Sequence, residues 1–330
     1  MKKVLVIGGA GYIGSVVANY LVQNNYKVKI LDNLIYGNDF IQNQIFLSDD
    51  IEFIKKDMLN ISKNDSIFKN IDAVILLAGL VGDPITKKYP DLSIKINRDG
   101  CKSVIDATLA AGIDRFIFIS TCSNYGLIDS KDIADENYVL KPISLYAKLK
   151  VEIENYILQK SGNLCTTILR FATAFGESPR MRFDLTINEF IYELLINKKL
   201  LVYDPDTWRP YCHVNDFARL IEKVLRSEKI LIKNEIFNAG SDINNFTKRQ
   251  IVEIISRSIK DCDIMYKEHG VDPRNYRVDF SKIKKVLNFH PNYNVEDYMS
   301  KLVETIKNTK YLSKSTYGNY EINLKWKKKF

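Results

Sequence analysis

The sequence predicts an α/β fold, with a doubly wound parallel sheet followed by a smaller, mostly helical C-terminal lobe. Two observations lead to this prediction. Short β-branched runs alternate with helix-length amphipathic stretches up to Phe171, and beyond that point the alternation is lost. We therefore assign residues 1–170 to the sheet domain, with 211–240 crossing back to it. The second lobe takes 171–210 and 241–330.

The elements of the sheet domain follow one another in a regular order. Apolar runs predict strands over Lys3–Ile7, Lys27–Leu31, Ile51–Lys55, Ala73–Leu77, Arg115–Ser120 and Thr166–Phe171. Helical spacing of apolar residues predicts helices over Ser15–Asn24, Val104–Ala111 and Ser144–Lys160. Further along we predict helices over Leu185–Leu195, Asn215–Arg226 and Lys248–Ile259, and strands over Leu200–Tyr203 and Glu235–Ala239. The last of these strands can return to the main sheet.

The composition excludes several classes of protein. With 46% hydrophobic residues among 330, the chain can bury a substantial core, which excludes global disorder. No apolar run reaches the roughly 18 residues that a membrane-spanning helix needs. Glycines interrupt the apolar opening and no cleavage site follows, which predicts a strand and turn rather than a signal peptide. The five cysteines form no CxxC pair and the three histidines are dispersed, so we predict no metal site and expect a cytoplasmic protein.

The net charge of +8 is concentrated at the C-terminal end. Residues 310–330 carry six lysines and one acid, Glu321, which gives this tail +5 of the total. Since we find neither a basic stripe nor a nucleic-acid-binding motif elsewhere, we predict no nucleic-acid partner. The tail is interpreted as a solvated basic end, and a weak contact with anionic lipid is the alternative.

A glycine-rich turn, Gly8-Gly9-Ala10-Gly11-Tyr12-Ile13-Gly14, follows the first predicted strand and opens a helix. Gly8 permits a tight turn, Gly11 lets the backbone approach a pyrophosphate, and Gly14 allows the helix to pack closely on the strand. The helix N-terminus offers amides and a positive dipole to phosphates. This pattern is typical of a Rossmann-type dinucleotide-binding fold.

Polar residues at the ends of the next two strands indicate which dinucleotide binds. Asp32 closes the second strand, 18 residues past Gly14, where a carboxylate accepts both adenosine ribose hydroxyls and repels a 2′-phosphate. Asn33 follows in place of an arginine, so NAD is favoured over NADP. Asp57 and Met58 end the third strand, where they can grip the adenine.

A tyrosine and a lysine, Tyr146 and Lys150, lie four residues apart and therefore on one face of a predicted helix. A buried ammonium and a cationic nicotinamide both favour the phenolate, so Tyr146 can act as a base near neutral pH. Such a pair is common in helices. Its combination with the glycine turn is what points to catalysis.

Together these motifs resemble the extended short-chain dehydrogenases/reductases that act on nucleotide sugars. The resemblance covers essentially the whole chain and is carried by GGAGYIG (8–14), LDN (31–33), LLAGL (76–80), STCSNYG (120–126), YAKLK (146–150), LRFATAFG (169–176) and WRPYCHVND (208–216). It implies tightly bound NAD and a nucleotide-diphosphate sugar as substrate. It also implies a homodimer built from the helices that contain Val104 and Tyr146.

The resemblance implies roles for individual residues. Thr121, 25 residues before Tyr146, hydrogen-bonds the reacting sugar hydroxyl, Tyr146 removes its proton, and Lys150 holds the nicotinamide ribose. Hydride then moves between a ring carbon, usually C4, and NAD. The other residues implied in the cofactor site are Tyr12, Ile13, Leu77, Ala78, Gly79 and Asn97.

The two residues after Thr121 discriminate among the reactions of this family. Nucleotide-sugar 4,6-dehydratases resemble one another in having Asp-Glu there, and these acids eliminate water across C5 and C6. This chain has Cys122 and Ser123, which supply no carboxylate, so 4,6-dehydration is disfavoured. Cys122 contacts the substrate in one interpretation and is a buried spectator thiol in the other.

Arginines of the second lobe are candidates for binding the nucleotide diphosphate, because a planar guanidinium binds phosphate oxygens bidentately. By resemblance Arg209 and Arg274 contact the phosphates, with a salt bridge as the alternative for each. Arg180 and Arg182 either contact cofactor or substrate or pair with Asp184. The other residues assigned to the substrate site are Ser123, Thr173 and Asn188, and Thr173 stands where 4-epimerases have an asparagine.

Asp83 and His213 are interpreted as structural residues. Asp83 follows the fourth strand at the active-site edge of the sheet, and an acid/base role is the alternative to a turn residue. His213 enters a predicted helix, which is the usual setting of a satisfied core histidine.

The sequence therefore predicts an NAD-dependent nucleotide-sugar 4-epimerase of surface-polysaccharide biosynthesis. The alternative is a C4 dehydrogenase or 4-ketoreductase, because FGESPRMRFDL (175–185) and FTKRQIVE (246–253) resemble bacterial enzymes that oxidise GDP-heptose at C4. A 4,6-dehydratase is the weaker alternative. A dinucleotide-binding sensor or scaffold is a further class, against which the intact Thr121, Tyr146 and Lys150 argue.

Overall fold

The computed structural model describes residues 2–37, 48–129, 131–160, 162–270, 274–309 and 316–323. The six lysines of the basic tail, singled out above, lie outside these residues. Within the described ranges, no helix is long and apolar enough to cross a lipid bilayer.

The strands and helices are numbered in chain order. The strands are β1 (Lys3–Ile7), β2 (Lys27–Asp32), β3 (Ile51–Lys55), β4 (Ala73–Leu76), β5 (Arg115–Thr121), β6 (Cys165–Phe171), β7 (Thr173–Phe175), β8 (Lys199–Tyr203), β9 (Trp208–His213), β10 (Glu235–Ala239), β11 (Asn245–Thr247) and β12 (Asp263–Lys267). The helices are α1 (Tyr12–Gln23), α2 (Asp83–Lys88), α3 (Pro90–Ile94), α4 (Cys101–Ala110), α5 (Leu145–Lys160), α6 (Thr186–Ile196), α7 (Val214–Arg226), α8 (Lys229–Ile232), α9 (Lys248–Ser256), α10 (Ser281–Leu287) and α11 (Val295–Asn308). A π-helical turn, Lys95–Gly100, joins α3 to α4.

Seven parallel strands form the main sheet, in the order β10-β6-β5-β4-β1-β2-β3. Because the order reverses between β1 and β4, the chain leaves these two strands towards opposite sides and opens a crevice at their carboxyl ends. β10 joins the edge beside β6, with Glu235 opposite Thr167. The doubly wound parallel sheet is therefore confirmed.

Alternate residues of each central strand belong to two separate cores. In β1, Val4 and Val6 pack into the core that contains α1 and α7, whereas Leu5 and Ile7 pack into the core that contains α4 and α5. All four side chains are at most 1% exposed. Burial on both faces explains why the strand appears in the sequence as a continuous apolar run.

The strands and helices predicted for residues 1–170 have observed bounds within a few residues of the predicted ones. β1, β3 and β10 have the predicted bounds. α1 begins at Tyr12 instead of Ser15, because its N-cap is Gly11, which forms no side-chain capping bond and leaves no Ser, Thr or Asp signal at the start. α9 ends at Ser256, three residues before the predicted end.

The described residues of the second half of the chain contain five short strands outside the main sheet, of which only β8 was predicted. β9 lies between β7, to which it is parallel, and β11, to which it is antiparallel. β8 pairs in parallel with β12. The missed strands have three to six residues, and such strands depend on partners that are distant in the sequence.

Residues 316–323, which we call the C-terminal segment, connect the two parts of the molecule. The backbone N–H of Asn323 donates to the carbonyl oxygen of Ile35 at 2.7 Å, beside the end of β2. At the other end, the N–H of Phe183 donates to the carbonyl oxygen of Tyr317 at 2.6 Å. The segment therefore runs from the second lobe to the edge of the crevice.

Candidate active site

A cavity of about 340 Å³ opens at the carboxyl ends of β1 and β4, where the strand order reverses. The turns that follow the central strands line one side, and α5 and the second lobe line the other. The predicted site residues that line it are Gly8, Gly11, Tyr12, Ile13, Gly14, Asp32, Asn33, Asp57, Met58, Leu77, Ala78, Gly79, Thr121, Ser123, Tyr146, Lys150, Thr173, Arg182, Arg209 and Arg274.

The glycine turn has no room for side chains. Gly8 has a φ of +90°, and a Cβ there would lie 2.6 Å from the backbone nitrogen of Ala78. A Cβ on Gly14 would lie 2.1 Å from the carbonyl oxygen of Gly8. The turn therefore brings α1 close against β1 and leaves the first amides of the helix beside the cavity.

Asp32 and Asp57 are fixed by backbone amides at the ends of their strands. Asp32 accepts hydrogen bonds from the N–H of Ala10 at 3.0 Å and of Leu34 at 2.8 Å, and Asp57 accepts one from the N–H of Leu59 at 3.0 Å. Burial raises the pKa of Asp32, and these amide hydrogen bonds oppose the rise. Because a carboxylate has about four acceptor positions, both residues can still accept hydroxyl hydrogens from the cavity.

Three predicted site residues do not line the cavity. Asn97 bonds the backbone of Leu80 twice, each time at 2.8 Å, and thereby holds the turn after β4. The Cys122 thiol donates to a carbonyl oxygen in β6 at 3.1 Å, and burial raises the pKa of this thiol. Asn188 accepts the N–H that follows β7 at 3.2 Å. These side chains support the walls of the site, and we do not expect them to contact cofactor or substrate.

Thr121, Tyr146 and Lys150 meet at the cavity. Thr121 ends β5, and its Oγ1 accepts the N–H of Ser123 at 3.1 Å. Tyr146 and Lys150 lie one turn apart on α5. The Lys150 Nζ lies 5.8 Å from the centre of the Tyr146 ring and donates to the carbonyl oxygen of Ile119 at 2.6 Å. The ammonium therefore acts on the phenol as a nearby charge.

Burial opposes the ionisation of both members of this pair. It raises the pKa of Tyr146 and lowers the pKa of Lys150. The positive charge of Arg182 favours the phenolate, and the negative charge of Asp83 opposes it. Charges of both signs therefore act on the phenol, and an oxidised nicotinamide bound in the cavity would add a positive charge that favours the phenolate.

Two of the arginines predicted for the substrate form ion pairs at the cavity wall. The Arg274 Nη2 lies 3.0 Å from the Asp83 Oδ2, and its Nη1 donates to the Ser123 Oγ at 3.2 Å. Arg182 binds both oxygens of Asp184, at 3.0 and 2.6 Å. The pairing alternative is thus what the structure shows for both arginines. Asp83, which was predicted to be a turn residue, is instead the first residue of α2 and an ion-pair partner.

Arg209 and His213 are both held by β9, but only Arg209 lines the cavity. Its guanidinium lies 5.1 Å from the centre of the Tyr276 ring. His213 is fully buried, and its Nδ1 accepts the N–H of Asn215 at 3.2 Å, which caps α7. Its Nε2 lies 3.5 Å from Glu177. The histidine therefore lies in the core and caps α7.

Several lining residues were missed by the sequence analysis: Tyr36, Lys248, Tyr276 and Asn319. Asn319 lies in the C-terminal segment and donates to the carbonyl oxygen of Val81 at 3.2 Å. No local pattern marks this asparagine, because its position depends on how the end of the chain folds back. Tyr36 lies below the guanidinium of Arg180, 4.8 Å from it, four residues past the predicted Asp32.

The groups at the cavity fit a dinucleotide. The turn that excludes any Cβ lets a diphosphate approach the first amides of α1. The buried carboxylate of Asp32 can accept ribose hydroxyls. The guanidinium of Arg180, which is 2% exposed and lines the same cavity, adds a positive charge.

Known proteins with the same fold are enzymes that act on nucleotide sugars. A UDP-glucuronate 4-epimerase of Thermodesulfobacterium geofontis is 28% identical over 327 residues, which cover 96% of this chain and 99% of that protein. The solved UDP-glucuronic acid 4-epimerase from Bacillus cereus, in complex with UDP-glucuronic acid and NAD, has a TM-score of 0.80 at 25% identity, over 92% of this chain and 99% of its own. A dTDP-glucose 4,6-dehydratase from Streptomyces venezuelae shares the fold, with a TM-score of 0.82 at 24% identity over 92% of this chain and 96% of its own.

The family model described as NAD dependent epimerase/dehydratase family matches residues 4–240, which is well over half of the chain. The matched range contains the glycine turn, Asp32 and the Tyr146–Lys150 pair. Enzymes of this extended short-chain dehydrogenase/reductase type use NAD. The chain belongs to the NAD-dependent epimerase/dehydratase family.

Proposed function

We propose that this protein is an NAD-dependent nucleotide-sugar 4-epimerase. The observation that carries the proposal is the convergence of Thr121, Tyr146 and Lys150 on one cavity, in which no unpaired carboxylate stands beside Thr121 among the described residues. The full-length similarity to a UDP-glucuronate 4-epimerase supports it. A part in surface-polysaccharide biosynthesis stays a prediction.

The surroundings of Thr121 favour epimerisation over dehydration. Elimination of water across C5 and C6 needs an acid and a base beside the sugar. Here the Cys122 thiol is bonded to the main chain in β6, and the Ser123 hydroxyl lies 3.2 Å from the Tyr276 hydroxyl. The nearby carboxylate of Asp83 is paired with Arg274. These groups therefore support proton exchange at one sugar hydroxyl and do not supply the acid and base that elimination of water needs.

The chain's own residues would divide the reaction among them. Tyr146 takes the proton from the C4 hydroxyl and returns it, and Thr121 orients that hydroxyl by a hydrogen bond. Lys150 supplies a buried positive charge that favours the phenolate. NAD, when bound, supplies the acceptor and donor of hydride at C4. Epimerisation also needs a cavity in which the 4-keto sugar can turn over.

The arginines of the second lobe would hold the nucleotide diphosphate. Arg274 and Arg209 line the cavity on the side of Thr121 and Tyr276. A diphosphate carries more negative charge than a carboxylate, so it can displace Asp83 from Arg274 when the substrate enters.

The test is a panel of UDP-, GDP-, dTDP- and CDP-sugars, each incubated with the purified protein in deuterated water and followed by mass spectrometry and NMR. A 4-epimer of unchanged mass with no deuterium uptake is expected, because the same hydride leaves and returns at C4. A keto sugar that accumulates with NADH would instead identify the C4 dehydrogenase and reject the epimerase. Loss of water from the sugar would identify a dehydratase.

A further inference from the structure

Arg180 is a buried cation that forms no ion pair with any carboxylate of the described residues. Arg180 is 2% exposed, and neither its Nε nor its Nη2 has a hydrogen-bond partner within the described part of the chain. A buried charge of this kind is costly unless an anion pairs with it. The guanidinium also lines the cavity, where such an anion could reach it.

The neighbouring carboxylates do not serve as that anion. Asp184 is bound on both oxygens by Arg182, at 3.0 and 2.6 Å. Asp32 accepts the N–H groups of Ala10 and Leu34. Neither carboxylate lies within 4.0 Å of Arg180, so both act on it only at a distance.

The backbone holds Arg180 beside the first turn of α1. The Ser178 hydroxyl donates to the carbonyl oxygen of Tyr12 at 2.7 Å and lies 3.1 Å from the Ser15 hydroxyl. The N–H of Arg180 donates in turn to the Ser178 Oγ at 3.2 Å. The ring of Tyr36 lies beneath the guanidinium, 4.8 Å away, and limits where it can move. The guanidinium and the positive end of α1 therefore face the same space.

We infer that Arg180 binds the diphosphate of NAD, opposite the amides of the glycine turn. A diphosphate presents pairs of oxygens that match the fork of a guanidinium, and its two negative charges suit two positive partners. The diphosphate of the nucleotide sugar has the same chemistry. We assign the dinucleotide because Arg180 adjoins Asp32 and α1, whereas Arg209 and Arg274 adjoin Tyr276 and Ser123.

The assignment gives the cofactor a ligand from outside the first 170 residues. In this assignment the glycine turn and Asp32 bind NAD from the main sheet, and Arg180 binds it from the segment that follows β7. Binding of NAD would then join the two parts of the molecule. The apoprotein would lose nothing if the charge were removed.

The test compares Arg180→Met, which keeps bulk but removes charge, with Arg257→Met, whose arginine side chain is 67% exposed and outside the cavity. After removal of bound nucleotide, NAD and UDP are titrated separately by calorimetry. For Arg180→Met we expect NAD affinity to fall at least about tenfold, since hydrogen bonds to charged groups contribute about 1.5–3 kcal/mol. We expect UDP affinity to change less than about threefold, and Arg257→Met to change neither.

Thermal unfolding separates this role from a structural one. The melting temperature of Arg180→Met without nucleotide should equal or exceed that of the unmodified protein, because an unpaired buried charge is removed. The rise in melting temperature on adding NAD should be smaller. Arg180→Lys, which keeps the charge without the fork, should bind NAD with intermediate affinity, and it serves as the test if Arg180→Met does not fold.

Three results would overturn the inference. Unchanged NAD affinity with weakened UDP binding would assign Arg180 to the substrate. A lower melting temperature of the apoprotein with unchanged NAD affinity would make Arg180 a structural residue. A fall of equal size in NAD and UDP affinity would contradict the assignment to the dinucleotide alone.

Discussion

At the scale of single residues, the proposed catalytic pair works through charge at a distance. The Lys150 ammonium is bonded to the main chain of β5 and lies 5.8 Å from the Tyr146 ring. We therefore expect its effect on the phenol to be electrostatic, and charges interact more strongly at a buried site than in water.

Replacing Tyr146 by Phe should remove the acid/base group and leave the cavity intact. We expect turnover to fall at least about 100-fold, the lower end of what positioned acid/base groups contribute, while NAD stays bound. Tyr156→Phe is the control on the same helix, because the Tyr156 hydroxyl bonds Asp106 at 2.6 Å outside the cavity. Turnover and NAD content are measured on both variants. Undiminished activity of Tyr146→Phe would reject the mechanism.

Replacing Lys150 by Met should move the pH dependence of turnover. Burial already raises the pKa of Tyr146, and removal of the ammonium raises it further, because the phenolate loses a nearby positive charge. The base must be ionised to act, so the acidic limb of the kcat–pH profile should shift to higher pH. The profile is measured at saturating NAD, so that weaker cofactor binding does not contribute. An unshifted limb would mean that Lys150 only holds the cofactor.

At the scale of secondary-structure elements, a buried ion pair supports the active site from below. Glu154 on α5 and Arg170 on β6 are 2% and 3% exposed, and the Arg170 Nη2 lies 2.7 Å from the Glu154 Oε2. Asn124, in the turn after β5, donates to the same carboxylate at 2.8 Å. The pair thus ties the helix of Tyr146 to the strands that end at Thr121 and Phe171.

Glu154→Gln should leave Arg170 buried without its counter-charge. We expect a loss of about 3–5 kcal/mol in the free energy of unfolding, which is typical when one partner of a buried pair is removed. Glu296→Gln breaks the exposed pair with Arg257 and should cost less than about 1 kcal/mol. Urea denaturation of both variants measures the difference. Equal losses would show that burial does not determine the strength of the pair.

The elements that could be predicted from the sequence are those whose signal is local. β1 and β5 are apolar runs of suitable length, and α5 carries apolar residues at helical spacing, so each was found. β9 pairs with β7 and with β11 across 35 to 39 positions of sequence, and no local pattern reports such pairing. The start of α1 was misplaced for another reason, since a glycine cap gives no side-chain signal.

At the scale of the whole molecule, one cluster of side chains links three elements of the second half of the chain. We expect this cluster to make the stability of the fold depend on pH. Glu177, after β7, accepts the Tyr298 hydroxyl of α11 at 2.7 Å and lies 3.5 Å from His213 of β9. Burial would raise the pKa of Glu177, but the adjacent His213 ring and the hydrogen bond from Tyr298 outweigh this effect and lower the pKa to about 2.

The folded protein should therefore lose stability as this carboxylate is protonated. Because the pKa is lower in the folded state, its contribution is complete above pH 4.5 and is lost as the pH falls from there through 2, by at most about 3 kcal/mol. Glu177→Gln should flatten the dependence of unfolding free energy on pH in this window. Glu253→Gln, at an exposed position, should not. Parallel curves for Glu177→Gln and the unmodified protein would contradict the assignment.

The candidate site could be predicted from the sequence where motifs mark it, and elsewhere only the fold reveals it. The glycine turn, Asp32, Thr121 and the Tyr146–Lys150 pair all line the cavity as expected. The sequence left open whether each arginine binds a ligand or pairs with a carboxylate, because pairing depends on which carboxylate the fold brings near. Arg182 pairs with Asp184, whereas Arg180, two positions earlier, pairs with no carboxylate among the described residues.

The position of the C-terminal segment bears on how a bound dinucleotide would be exchanged or reoxidised. Its hydrogen bonds to Ile35 and Val81 on one side and to Phe183 on the other hold it along the rim of the crevice. We expect a dinucleotide bound behind this segment to exchange with solvent slowly, because these hydrogen bonds would have to break first. An epimerase returns each hydride within one turnover and can keep its cofactor, whereas a dehydrogenase must release reduced cofactor or have it reoxidised in place. Slow exchange would therefore suit the proposed epimerase better than the dehydrogenase.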